Sequence, residues 1–156
     1  MNTPSIEKVA SQIVAFLPMR GAYAQVPQGM GRLYEWIGHN GLQPTGMPGA
    51  VYLTDPATVP ESEAEWELWA PVTSASPREA DNGEPGVKQL PARTVARILY
   101  QGPYEQVHEG YSALTGWIEE QGLVVVGPPE EYYLNDPGEA SPAEYLTEIH
   151  FPIMEP

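Results

Sequence analysis

The chain has 156 residues, enough for one domain with a sizeable core or for two half-domains that share one. Its formal net charge of −14, from 21 acidic and 7 basic residues, argues against direct nucleic-acid contact, because phosphate binding needs clustered Lys and Arg. Cysteine is absent, which excludes disulfides and thiolate metal sites. No run is long and apolar enough to span a membrane and no signal-peptide pattern opens the chain, so a cytoplasmic location is expected.

The first half of the chain predicts the order strand, helix, strand, strand. Residues 6–19 are apolar in broken stretches and Pro18 opposes a helix there, so one or two strands are expected. VPQGMGRLYEWIGHNGL predicts a helix that ends before Gly41, which suits a left-handed position. Gly29 and Gly31 weaken this helix by about 1 kcal/mol each, which indicates close packing or ligand approach. The segments GAVYLTD and EAEWELWAPV predict two further strands.

The second half predicts the same order of elements. TVARILYQ predicts a strand, and YEQVHEGYSALTGWIEEQG predicts an amphipathic helix that Gly122 ends. EYYLND and YLTEIHF predict two closing strands. Between the halves, residues 73–89 are rich in small, charged, Gly and Pro residues, and they predict a surface linker.

The two halves also repeat each other in sequence at a constant offset of 81 residues. Gly41-Leu42 matches Gly122-Leu123 at this offset, and roughly a third of the paired positions are identical without a gap. An internal duplication is therefore predicted. Its parts are a first repeat module, residues 1–72, the linker, residues 73–89, and a second repeat module, residues 90–156, together forming one compact domain.

The most informative positions are two equivalent carboxylates, Glu67 and Glu148, each inside an apolar strand. Burying a carboxylate is costly unless it is paired, so a carboxylate in such a strand calls for an explanation. The period of two puts Glu148 and His150 on one strand face, and Glu67 and Trp69 on the matching face of the first repeat. If the repeats pair about a pseudo-twofold axis, these faces line one ligand groove. The alternative is an edge strand whose polar face meets water.

The motifs of the second half resemble a known family. GPYEQVHEGYSALTGWIEEQGL, GPPEEYYLNDP and YLTEIHFPI, in this order, are similar to the GyrI-like small-molecule-binding family, which includes effector-binding domains of AraC- and MerR-type regulators. The resemblance covers nearly the whole chain. It implies an α+β fold of duplicated strand-helix-strand-strand modules with antiparallel sheets, a pseudo-twofold axis and a ligand groove between the modules.

The same resemblance implies a site and three functions. Glu148 corresponds to the family's central acidic residue, which meets lipophilic and often cationic ligands among aromatic rings. Some standalone members of the family hydrolyse cyclopropane-containing genotoxins, with that Glu and a Tyr, and the name-giving member binds DNA gyrase. The chain is thus expected to bind lipophilic, cationic or planar aromatic molecules. The alternatives are a cyclopropanoid-toxin hydrolase and an acidic interaction protein with a partner such as gyrase.

Candidate ligand-binding residues are the two glutamates, the aromatic residues of the repeats and one histidine. They are Glu148, Glu67, Tyr52, Tyr133, Trp36, Trp117, Trp69, Tyr111 and His150. If the chain is an enzyme, Glu148 and Tyr133 are the catalytic pair. Burial is expected to raise the pKa of Glu148, which suits a general acid or base near neutral pH. The alternative is that the rings belong to the core and that Glu148 is a hydrogen-bonded residue joining the halves.

Metal and cofactor chemistry find little support in the sequence. His150 and Glu148 supply only two potential ligands, so no metal is predicted. No phosphate loop, nucleophile elbow or kinase signature is present, and no cofactor is predicted. Asp55-Pro56 and Asp136-Pro137 predict turns, in which Asp bonds nearby backbone and Pro presets φ.

Overall fold

The computed structural model describes residues 3–55, 58–73, 75–81, 83–136 and 138–156. The described part contains two α-helices and eight strands, and six pairings between neighbouring strands are antiparallel, so the α+β class is confirmed. The helices are α1 (Val26–His39) and α2 (His108–Glu120). The strands are β1 (Ser5–Val9), β2 (Gln12–Arg20), β3 (Gly49–Tyr52), β4 (Glu65–Pro71), β5 (Gly86–Leu90), β6 (Arg93–Gln101), β7 (Glu130–Tyr133) and β8 (Leu146–Pro152).

Unit I, residues 11–91, is one of two compact units. Its strands lie in the order β3-β4-β2-β5, and α1 packs on β2 and β4. Leu33 and Ile37 of α1 are buried, and Gly29 lets the helix approach the sheet closely, since an added Cβ would lie 2.6 Å from Cδ1 of Leu68. Close packing is therefore confirmed for Gly29. At Gly31 an added Cβ would meet no described atom within 4 Å, so close packing does not explain this glycine and ligand approach stays a prediction.

Unit II, residues 3–10 together with 92–156, has the strand order β1-β6-β8-β7. Helix α2 packs on β6. Leu114 and Ile118 of the helix form a buried cluster with Ile98 of β6 and Ile149 of β8. The period of two therefore turns the neighbours of Ile98 and Ile149 to the opposite face of the sheet.

The bounds of the units differ from those of the predicted modules in two places. Strand β1, expected in the first module, pairs with β6 in unit II, where Ser5 lies opposite Arg97. Four of the five residues of strand β5 lie in the segment predicted as a linker, residues 73–89, and the strand pairs with β2 in unit I. The Gly- and Pro-rich composition around β5 concealed a five-residue strand in which Val87 and Leu90 are buried.

The elements of the two units recur at the spacing seen in the sequence. Strand β2 begins at Gln12 and β6 begins at Arg93, 81 residues later. The same spacing separates β1 from β5, β3 from β7, and β4 from β8.

The predicted ends of the helices and turns agree with the structure where it describes them. Gly41 and Gly122 follow the helices with φ of 67° and 66°, the left-handed region in which glycine avoids a Cβ penalty. Oδ1 of Asp136 accepts a hydrogen bond from the backbone N–H of Gly138 at 2.7 Å, as predicted for a turn. Pro56 and Pro137 of the predicted turns lie outside the described residues. No helix within the described ranges is long and apolar enough to cross a membrane.

Candidate functional site

The side chains of interest in unit II lie on the sheet face opposite α2, which we call the helix-free face of that unit. In β8, Glu148 and His150 alternate with Ile149, which packs against the helix. The antiparallel register places Leu99 and Tyr132 opposite Glu148, and Arg97 opposite His150. Directly opposed residues point to the same side of a sheet, so strands β6, β7 and β8 bring these polar side chains together.

Glu148 is paired within its own unit. Its Oε1 lies 2.7 Å from Nε2 of His150, and its Oε2 lies 2.9 Å from Nη2 of Arg97. The hydrogen bond from His150 and the one from Arg97 outweigh the effect of burial and lower the pKa of Glu148 to about 2. The expectation that burial raises this pKa is therefore wrong, because the strand register supplies two partners for the ionised carboxylate.

A second polar network lies beside Glu148 on the same face. Arg93 makes a bidentate contact with Glu130, at 3.0 Å from Nε and 2.6 Å from Nη2, and Nη2 also donates to the hydroxyl of Tyr132 at 2.8 Å. The Tyr132 hydroxyl donates to Oε1 of Glu130 at 2.7 Å. Burial, reinforced by the negative charge of Glu130, raises the pKa of Tyr132. The Tyr132 ring lies 4.8 Å from the ring of His150, so the two networks touch.

His150 is buried and has one unsatisfied atom. The residue is 6% exposed, and its buried Nδ1 has no hydrogen-bond partner within the part of the chain that the structure describes. With Nε2 on the Glu148 carboxylate, the ring carries its proton on Nε2 and leaves Nδ1 as an acceptor when it is neutral.

The structure separates Tyr133 from Glu148. Tyr133 lies opposite Thr147, whereas Glu148 lies opposite Tyr132, so Tyr133 and Glu148 point to opposite faces of the sheet. On the helix side, the hydroxyls of Tyr133 and Tyr111 both donate to Glu131, at 3.1 Å and 2.5 Å. The tyrosine on the same sheet face as Glu148 is therefore Tyr132, the residue that precedes Tyr133 in the sequence.

Glu67 occupies the matching position on the helix-free face of unit I, the face opposite α1. It is 9% exposed, and its Oε1 accepts hydrogen bonds from Nε1 of Trp69, at 2.7 Å, and from Nζ of Lys88. The Lys88 ammonium also lies 4.4 Å from the ring centroid of Phe16, which is directly opposite Trp69 in the sheet. Glu67 and Trp69 are thus brought together as predicted, with a cation between the carboxylate and an aromatic ring.

The other predicted aromatic residues lie away from the two helix-free faces. Tyr52 belongs to an aromatic cluster on the α1 side of unit I, with ring centroids 5.3 Å from Tyr23 and 6.3 Å from Trp66. Trp117 on α2 packs against the buried cluster of unit II. The guanidinium of Arg78 lies over the ring of Trp36 on α1, with its Cζ 5.4 Å from the ring centroid. Trp36 also lines an open cleft of about 480 Å³, and Glu67 is not among the residues that line this cleft.

Six members of the networks around the two glutamates were not predicted: Phe16, Lys88, Arg93, Arg97, Glu130 and Tyr132. Arg97 left a weak signal, since it is a charged residue at an alternate position of the apolar strand TVARILYQ. Lys88 gave no such signal, because residues 73–89, which include it, were predicted to be a linker. Among the described residues, no group of three His, Cys, Asp or Glu side chains is placed to hold a metal ion.

The profile of the family described as GyrI-like small molecule binding domain matches residues 2–154. The chain belongs to the GyrI-like family. No curated protein matches it significantly. The family assignment therefore rests on a match over nearly the entire sequence, in agreement with the resemblance of its motifs.

Several solved structures share this GyrI-like fold. The C-terminal domain of EcmrR superimposes with a TM-score of 0.81 at 20% identity, over 99% of this chain and 98% of that domain. The structure of EcmrR in a complex with DNA superimposes with a TM-score of 0.85 at 20% identity. That superposition covers 99% of this chain but only 58% of the EcmrR chain. A hydrolase from Listeria innocua gives 0.71 at 13% identity, over 97% and 92% of the two chains. At these identities the likeness concerns the fold.

Proposed function

We propose that this GyrI-like chain binds lipophilic aromatic small molecules, cations among them, and that the helix-free face around Glu148 takes part. The observation that carries the proposal is an ionised, half-buried carboxylate next to the rings of Tyr132 and His150. Aromatic faces attract cations and stack on flat ligands, and a carboxylate of depressed pKa supplies a permanent negative charge at neutral pH.

The family and its fold relatives support this proposal. The matching family is defined by small-molecule binding, and the EcmrR C-terminal domain shares the fold. Another fold relative, SAV2435, has a structure bound to tetraphenylphosphonium, with a TM-score of 0.59 at 16% identity over 98% of this chain and 94% of SAV2435. Tetraphenylphosphonium is a lipophilic aromatic cation and is therefore a suitable probe.

We also infer that the two units descend from one duplicated module. The support is the spacing of 81 residues between equivalent strands and the matching strand orders, β5-β2-β4-β3 in unit I and β1-β6-β8-β7 in unit II. On this inference Glu67 and Glu148 are the same ancestral position, and each unit can contribute a carboxylate to ligand binding.

Titration calorimetry with tetraphenylphosphonium and with the neutral triphenylphosphine oxide tests the function. We expect the wild type to bind both compounds. Glu148→Gln is expected to lose about tenfold in affinity for the cation, because the substitution removes the carboxylate and leaves the Arg97 charge without its counter-charge. Affinity for the neutral compound is expected to stay within about twofold.

Glu119→Gln, which neutralises an exposed carboxylate on α2, is the matched control for net charge. Failure of both compounds to bind the wild type would contradict small-molecule binding of this class. If Glu119→Gln lost as much affinity for tetraphenylphosphonium as Glu148→Gln, the loss would reflect net charge and not a contact with Glu148.

Hydrolysis is a second candidate, because His150 bonds Glu148 through one nitrogen and its other nitrogen has no hydrogen-bond partner among the described residues. A carboxylate that orients a histidine in this way makes the second nitrogen a proton acceptor, and because that nitrogen is buried, the reaction requires a ligand-induced opening that admits water to it. Mass spectrometry of mixtures with a cyclopropane-bearing toxin should then detect product heavier by one water. The product is expected to disappear in His150→Gln while ligand affinity survives.

A third reading, association of the acidic surface with a basic partner such as gyrase, stays a prediction. It requires salt-sensitive binding that is unchanged in Glu148→Gln.

A further inference from the structure

Lys88 reaches across a neighbouring strand to find its partner. It lies on β5, at the edge of the unit I sheet, with β2 between β5 and the strand that carries Glu67. The side chain passes over β2, its Nζ lies 4.4 Å from the Phe16 ring centroid, and its ammonium donates to Oε1 of Glu67. The ammonium is therefore held between a carboxylate and an aromatic face.

This environment is one that an external organic cation would seek. A cation gains from an aromatic ring within about 6 Å and gains more where water is excluded. The Glu67 side chain is 12% exposed and the Lys88 side chain 37% exposed, so the carboxylate is shielded while the lysine can move outward into solvent. Trp69, bonded to the same carboxylate oxygen, adds a second ring.

The arrangement around Glu67 differs from the one around Glu148, although the two glutamates lie at equivalent positions of the internal repeat. The residue 81 positions before Lys88 is Glu7, also on an edge strand, so the two units place opposite charges at equivalent positions. In unit II the partner of Glu148 is Arg97, whose equivalent in unit I is Phe16. Unit I therefore has an aromatic ring where unit II has a cation, and the cation comes from another strand.

We propose that Glu67, Phe16 and Trp69 form a cation subsite that Lys88 occupies as a tethered internal ligand, so that Lys88 sets the charge selectivity of the protein. This inference rests on the proposed small-molecule function. With Lys88 in place, an organic cation must displace the ammonium in order to reach the carboxylate. A neutral aromatic molecule has no need of the carboxylate and is not disfavoured in this way.

Lys88→Met tests the inference, because methionine removes the ammonium and keeps an unbranched apolar side chain. Measured by titration calorimetry, the affinity for tetraphenylphosphonium is expected to rise about tenfold, the change expected when one such contact is freed. The affinity for triphenylphosphine oxide is expected to stay within about twofold. The double variant Lys88→Met/Glu67→Gln is expected to lose the gain.

Lys8→Met is the matched control, because Lys8 is 82% exposed and pairs with Glu155 at the surface, so its loss changes net charge equally. Lys88→Gln provides a second variant if the methionine variant folds poorly, since it retains a donor for Glu67 without the charge. Circular dichroism monitors folding in each case.

The outcomes separate this inference from the function on which it rests. If the wild type binds either compound and Lys88→Met leaves cation affinity unchanged or weaker, the tethered-cation inference is overturned and small-molecule binding stands. A gain that Lys8→Met reproduces also overturns it. If the wild type binds neither compound and Lys88→Met binds only the cation, the subsite is supported and the proposed function is contradicted. Absence of binding in every variant contradicts both.

Discussion

At the residue scale, the central carboxylates of both units are satisfied by their own chain. Glu148 has Arg97 and His150, and Glu67 has Lys88 and Trp69. The lowered pKa of Glu148 keeps this carboxylate charged at neutral pH and makes it a poor proton acceptor. On the proposed function, a ligand cation would have to compete with an internal cation in each unit, with Arg97 at Glu148 and with Lys88 at Glu67.

The depressed pKa of Glu148 predicts a pH-dependent contribution to stability. The pKa is about 2 in the folded chain against 4.5 for an unperturbed glutamate, so folding favours the ionised form. The contribution is therefore fully present above about pH 5 and is lost as the pH falls toward 2. Its size is expected to be about 1–3 kcal/mol, since solvent screens a side chain that is 22% exposed.

Urea unfolding of the wild type and of Glu148→Gln at pH 7, 5 and 3 measures this contribution. The difference in unfolding free energy between the two proteins is expected to shrink from pH 7 to pH 3. A constant difference would show that Glu148 titrates as in the unfolded chain. Glu119→Gln, at an exposed helical position, is expected to show no such trend.

At the scale of elements, the sequence predicted most of the secondary structure and little of the site. Apolar periodicity located both helices, and the left-handed glycines marked their ends. The partners of Glu148 depend on the register between β6 and β8, which local patterns do not contain. Periodicity within one strand can show that Glu148 and His150 share a face, but it cannot show that Arg97 does.

Two glycines of α2 give a matched test of how closely this helix packs. An added Cβ at Gly110 would lie 2.8 Å from Cδ1 of Ile149, whereas one at Gly116 would meet no atom of the described residues within 4 Å. Gly116→Ala is therefore expected to stabilise the protein by about 0.5–1 kcal/mol through helix propensity. Gly110→Ala is expected to destabilise it by about 1–3 kcal/mol through overpacking. Thermal or urea unfolding measures both, and equal effects would contradict the described helix–sheet contact.

At the scale of the whole molecule, strands β2–β4 and strands β6–β8 are each joined by an edge strand that belongs to the other half of the chain. Strand β1 is followed after two residues by β2, but it pairs with β6. Strand β5 is followed after two residues by β6, but it pairs with β2. The first module, residues 1–72, was predicted from the internal repeat and therefore included β1, although neighbouring strands usually pair and these two do not.

Removal of residues 1–10 tests this topology. The loss of β1 is expected to raise hydrogen exchange in β6, whose partner it is, more than in β2, which follows it in the chain. Hydrogen exchange followed by mass spectrometry resolves the two strands. Greater loss of protection in β2 than in β6 would contradict the described pairing.

The pairing of β1 with β6 and of β5 with β2 also determines what would happen if the chain were cut between its two halves. A cut within residues 75–81 would leave one fragment that carries β1, an edge strand of unit II, and another that carries β5, an edge strand of unit I. Neither fragment could complete its own sheet, and each would hold the strand that the other lacks. The two fragments would therefore recognise each other by reciprocal strand donation, as the halves of a split-protein reporter do.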